Sequence, residues 1–69
     1  MIRIGQPRKD EHEEIMYPLI VENEEVGSYY PGSNYLYLDF GGPAGKVKEL
    51  VEKSFRVDIE SVDIERGSF

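Results

Sequence analysis

With 69 residues, no cysteine and one histidine, the chain has room for one domain that neither disulfides nor a thiolate zinc site can brace. Close packing, ion pairs and burial against another chain are the remaining stabilisers, so self-association or membership of a complex is expected from size alone. The formal charge of −6, from 14 acids against 8 basic residues, disfavours nucleic acid as a partner, because such binding rests on Lys and Arg neutralising phosphates.

No apolar run approaches the ~20 residues of a membrane span. The opening Met1-Ile2-Arg3-Ile4-Gly5 leads into charged residues rather than the apolar stretch of a secretion signal. A cytoplasmic protein with no membrane contact is the expectation. Charge is uneven along the chain. Arg3, Arg8 and Lys9 make the start basic, the stretch from Asp10 to Glu25 carries seven acids and no Lys or Arg, and the end is acidic again through Asp58, Glu60, Asp63 and Glu65.

Ile2 and Ile4 alternate with polar residues and predict a short first strand. Gln6-Pro7-Arg8-Lys9 turns the chain, since proline fixes its own φ and restricts the residue before it. Asp10 followed by Glu13 has the spacing of a capping box and could start one helical turn, which Pro18 would stop. A strand is predicted from about Ile15 to Glu22, with Ile15, Tyr17, Leu19 and Val21 on one face and Met16 and Ile20 on the other. Pro18 cannot donate to a ladder, which calls for an edge position or a bulge there. Asn23-Glu24-Glu25 reads as a turn, Val26 to Tyr30 as a returning strand, and Pro31-Gly32-Ser33-Asn34 as the clearest turn in the chain.

Tyr35 to Phe40 alternates again, placing Leu36, Leu38 and Phe40 opposite Tyr35 and Tyr37. After Gly41-Gly42-Pro43-Ala44-Gly45 the period changes to helical, with Val47, Leu50, Val51, Ser54 and Phe55 on one stripe and Pro43 suited to the first turn. In the last strand, Val57 and Ile59 are out of phase with Val62 and Ile64. A one-residue bulge at Glu60-Ser61 would bring all four to one side and gather Asp58, Asp63 and Glu65 on the other. The fold class predicted is α+β: a small antiparallel or mixed sheet of about four to five strands, one helix over about 44–55 on one face, order β-β-β-β-α-β.

The stretch from Lys46 to Val62, with its Val51-Glu52-Lys53-Ser54-Phe55-Arg56-Val57-Asp58-Ile59 core, resembles the helix–strand segment of a large-subunit ribosomal protein family found near the exit tunnel. That resemblance implies a helix packed on the strand that follows it. The family's basic loops have no counterpart here.

Three constellations could carry chemistry. The glycine run ending at Lys46 stands where phosphate loops occur, but Phe40 and Val47 replace the glycine and the hydroxyl residue that the nucleotide motif requires. A tight strand-to-helix turn is the better reading. His12 among Asp10, Glu11, Glu13 and Glu14 could bind a metal or act as a base, although adjacent residues seldom converge on one ion. The five tyrosines are more suggestive, since Tyr29, Tyr30, Tyr35 and Tyr37 flank one turn and tyrosine is enriched at protein interfaces.

The function expected is therefore a small acidic, non-catalytic protein-binding module: an accessory subunit, or an inhibitor or regulator of a larger protein. It needs no cofactor or metal and meets another protein or a second copy of itself. Tyr29, Tyr30, Tyr35, Tyr37, Asp58, Glu60, Asp63 and Glu65 are the candidate contacts. The alternatives are a nucleic-acid mimic whose carboxylates imitate phosphates toward a basic protein, and a small metal- or ligand-dependent enzyme built on His12 and its neighbouring carboxylates.

Overall fold

Alternating residues become strands and the 3.6-residue stripe becomes a helix in the computed structural model, which describes residues 1–39 and 44–67. The elements are β1 (Ile2–Ile4), β2 (Arg8–Lys9), β3 (Ile15–Val21), β4 (Glu24–Tyr30), β5 (Tyr35–Leu38), α1 (Gly45–Phe55), a 3-10 turn (Ile59–Ser61) and β6 (Asp63–Arg66). Among the described residues, five strands run β1-β3-β4-β5-β6 and β2 pairs with β3, making a sheet of six. The α+β class is as expected. The additional strand is the two-residue β2, too short to leave a periodic signal in the sequence.

The ladders from β1 through β5 are antiparallel, whereas β6 lies parallel to β5 with Tyr35 opposite Asp63 and Tyr37 opposite Glu65. A parallel neighbour needs a crossover, and α1 supplies it. The sheet is therefore mixed.

Pro18 lies in an interior strand, between β4 and the β1–β2 edge. The fold accommodates it by a break in the neighbouring strand. Its carbonyl accepts the Gly5 N–H at 2.8 Å, so its missing N–H points at the chain between β1 and β2, where no continuous ladder requires one. A bulge lies one residue further along, between Leu19 and Ile20, where Val26 is the extra residue on β4. The β3–β4 connection is the two-residue turn Glu22-Asn23, both with positive φ (51° and 68°), tighter than the turn predicted at Asn23–Glu25.

Two other expectations are corrected. Asp10 to Glu14 forms the loop between β2 and β3 instead of a helical turn: the Asp10 carboxylate accepts the N–H groups of His12 (2.8 Å) and Glu14 (3.0 Å). The final strand is not continuous from Val57. The phase change predicted there is made by the 3-10 turn, so Val57, Ile59 and Ile64 all reach the core and Val62 is buried within it.

The core lies between α1 and one sheet face: Leu19, Val26, Tyr29, Leu36 and Leu38 meet Val47 and Val51. Phe55 closes the end of the helix by packing on Tyr17 and Tyr29, ring centroids 4.9 and 4.5 Å away. Ser54, although on the predicted stripe, is exposed. The chain leaves α1 through Arg56 in the left-handed conformation (φ 54°), and Glu52 then accepts the Ile59 N–H to anchor the 3-10 turn. The expectations for Phe40 and for the 41–43 glycine–proline run lie outside the described residues.

Candidate functional site

Residues paired across neighbouring strands share a face, so the register fixes what the other side of the sheet carries. One row across it is Tyr30, Tyr35 and Asp63; the next is Pro18, Ser28, Tyr37 and Glu65. The β3 part of this face is closed, since Met16 and Pro18 are both buried. The strip that remains accessible lies over β4, β5 and β6. It brings together Tyr30, Tyr35 and Tyr37, all half-buried, with exposed Asp63 and Glu65.

Within the strip, one phenol is tied directly to a carboxylate of the neighbouring strand. The Tyr35 hydroxyl donates to Glu65 Oε1 at 2.9 Å, and the Tyr30 and Tyr35 rings lie 5.8 Å apart at 50°. Burial, then the hydrogen bond to Glu65 and the nearby charges of Glu65 and Asp63, push the Tyr35 phenol up to about 12. Burial also raises Tyr30, helped by a hydrogen bond to Asp10 and by the charges of Asp10, Glu14 and Glu11. At the β6 end, a side chain at Gly67 would meet the Tyr37 hydroxyl at 2.7 Å, so the backbone there runs directly against that phenol.

The remaining candidates sit elsewhere. Tyr29 is a core residue, 1% exposed on the helix side of the sheet, with its hydroxyl donating to Asn34 Oδ1 at 2.8 Å. It therefore does not belong to the accessible strip. Alternation allowed only one of Tyr29 and Tyr30 to face outward, and the register selects Tyr30. Asp58 caps the 3-10 turn by accepting the Glu60 N–H at 3.1 Å, and Glu60 lies exposed within that turn, ahead of the strip. His12 is exposed in the β2–β3 loop with Glu11 Oε1 3.8 Å from its Nε2. Among the described residues, no three His, Asp or Glu side chains converge as a metal site would require.

Sequence reasoning missed Asn34 and the surroundings of Tyr30. Asn34 sits at φ 50°, accepts from Tyr29, and donates from its amide to the Ser61 carbonyl (3.0 Å), while its own carbonyl accepts the Asp63 N–H (3.0 Å). It thereby fixes where β6 begins, and so where Asp63 and Glu65 fall. The available signal was an asparagine closing a Pro-Gly-Ser turn, a position that tolerates left-handed backbone. Asp10 reaches Tyr30 through a loop closed by the Ser33 hydroxyl donating to Glu14 (3.2 Å), a contact between two turns that no periodicity encodes.

Elsewhere on the surface, a shallow groove between α1 and the β1–β3 end is lined by Ile2, Val21 and Leu50 and rimmed by Lys46, Lys53, Glu22 and Glu49. Lys53 pairs with Glu49 at 2.8 Å, so that rim is internally neutralised in part. Among the described residues, no helix is long and apolar enough to cross a membrane.

The molecule is thus a small α+β domain with one helix-covered face and one tyrosine–carboxylate face. No family model, no curated protein and no solved structure matches the chain.

Proposed function

We propose that this protein is a non-catalytic protein-binding module, acting as an accessory subunit or as an inhibitor or regulator of a larger protein, and that it docks through the β4–β5–β6 strip. The observation that carries this reading is the cross-strand register, which puts Tyr30, Tyr35 and Tyr37 beside Asp63 and Glu65 on one accessible surface. Tyrosine there offers wide contact area at low entropic cost, and a carboxylate edge sets orientation and partner choice. The sequence treats the tyrosine face and the acidic edge as two surfaces; in the fold they adjoin. The partner is another protein or a second copy of the chain, and the expected setting is the cytoplasm.

A second reading is supported by the exposure of Asp58, Glu60, Asp63 and Glu65 in a single run before and along β6. In it, these carboxylates imitate phosphates toward a nucleic-acid-binding protein. Capture of partners from native cell extract over a range of salt concentrations separates the two. Capture that survives salt, or that decays with salt but is lost when the Tyr35 and Tyr37 rings are removed, supports the tyrosine strip; steep decay that is unchanged by removing those rings supports the mimic. A metal-dependent activity that vanishes in His12→Ala while capture is unchanged would refute both in favour of an enzyme.

A further inference from the structure

We propose that the occupant of the tyrosine–carboxylate strip is an extended protein segment with arginine at alternate positions, each guanidinium lying on a tyrosine ring and pairing with the carboxylate beside it. The inference rests on the protein-binding reading above and names the chemistry of its partner. Its basis is a repeat. Tyr35 and Tyr37 on β5 stand in register with Asp63 and Glu65 on β6, so the same ring-plus-carboxylate unit occurs twice along the strand direction. Residues two apart on a strand are separated by about 6.6 Å, which is also the spacing of alternate side chains in an extended ligand. Neighbouring strands are about 4.8 Å apart, close enough for one planar cation to cover a ring and reach the adjoining carboxylate.

Charge points the same way. The charges that raise Tyr30 and Tyr35 come from Asp10, Glu11, Glu14, Asp63 and Glu65, with Tyr30 itself also acting on Tyr35, and every one of these groups is acidic. At the far edge of the same face, Arg8 is taken up by Glu25 at 2.7 Å. A cation is therefore the complementary charge. Arginine suits the site better than lysine for two geometric reasons. The Tyr35 hydroxyl donates to Glu65 Oε1, so carboxylate and ring edge already stand side by side where a planar cation would meet both. A flat guanidinium stacks on such a ring while donating in its own plane, whereas an ammonium is a strongly hydrated point charge.

The test is nuclear magnetic resonance titration of the full chain with two synthetic peptides, alternating arginine–glycine and alternating lysine–glycine, of equal length and charge. The arginine peptide is expected to shift the Tyr35 and Tyr37 ring signals and the Asp63 and Glu65 amides, and to bind at least about threefold more tightly than the lysine peptide. Glu65→Gln, a change at an exposed carboxylate, should weaken the arginine peptide about threefold or more. Equal affinity for both peptides would overturn the arginine inference, as would shifts centred on α1. If neither peptide binds, but extract capture is still abolished by Asp63→Lys, the inference falls and the protein-binding reading stands. If neither peptide binds and that capture is unaffected, both fall.

Discussion

At the scale of single residues, two side chains tie β6 to the strands before it. Asn34 satisfies the buried Tyr29 hydroxyl and holds the chain at the start of β6. Asn34→Ala should cost about 1–3 kcal/mol in a denaturant melt, since it strands one polar group and removes a left-handed-tolerant residue. A loss no larger than that of a surface substitution would contradict this role. Tyr35 makes the second connection. Its folded phenol ionises near 12, above the unfolded value of 10.0, so the unfolded chain releases a proton that the folded chain retains. Stability is therefore intact below about pH 10 and declines as the pH rises toward 12. Tyr35→Phe should flatten part of that decline, measured as the denaturation midpoint against pH.

At the scale of elements, the β3–β4 pair shows what local pattern can and cannot specify. Leu36 and Leu38 were legible as core because alternation sets them opposite the tyrosines, and the α1 stripe was legible because Val47 and Val51 recur at helical spacing. The bulge at Val26 was not, because it depends on which residues of β4 oppose β3, a property of two segments together. Gly27 is its close-packed neighbour: a Cβ there would lie 2.3 Å from the Tyr37 carbonyl oxygen. Gly27→Ala should destabilise by about 2–3 kcal/mol, because backbone must move to make room. An unchanged melting temperature would show that β4 and β5 approach less closely than the register requires. The parallel docking of β6 was equally hidden. The sequence marks a strand after a helix, but the contacts that hold its start in register come from Asn34 and the 3-10 turn, outside its own pattern.

For the whole molecule, the division of labour between sheet faces is the main result. The helix side uses Tyr29 and Phe55 to complete a small core, while the other side leaves tyrosines and carboxylates at the surface. Five of the eight sequence candidates meet there: Tyr30, Tyr35, Tyr37, Asp63 and Glu65. Tyr29 went inward and Asp58 became a cap, roles that depend on pairing register and on the 3-10 turn rather than on residue type. The central claim is that this strip is the docking surface, and partner capture by paired variants tests it most directly. Wild type, Asp63→Lys with Glu65→Lys, and Lys46→Glu with Lys53→Glu on the helix side would be used as bait, with melting temperatures measured alongside. The account predicts that the strip variant melts close to wild type and loses its partner, while the helix variant keeps it. Retention by the strip variant with loss by the helix variant would contradict it.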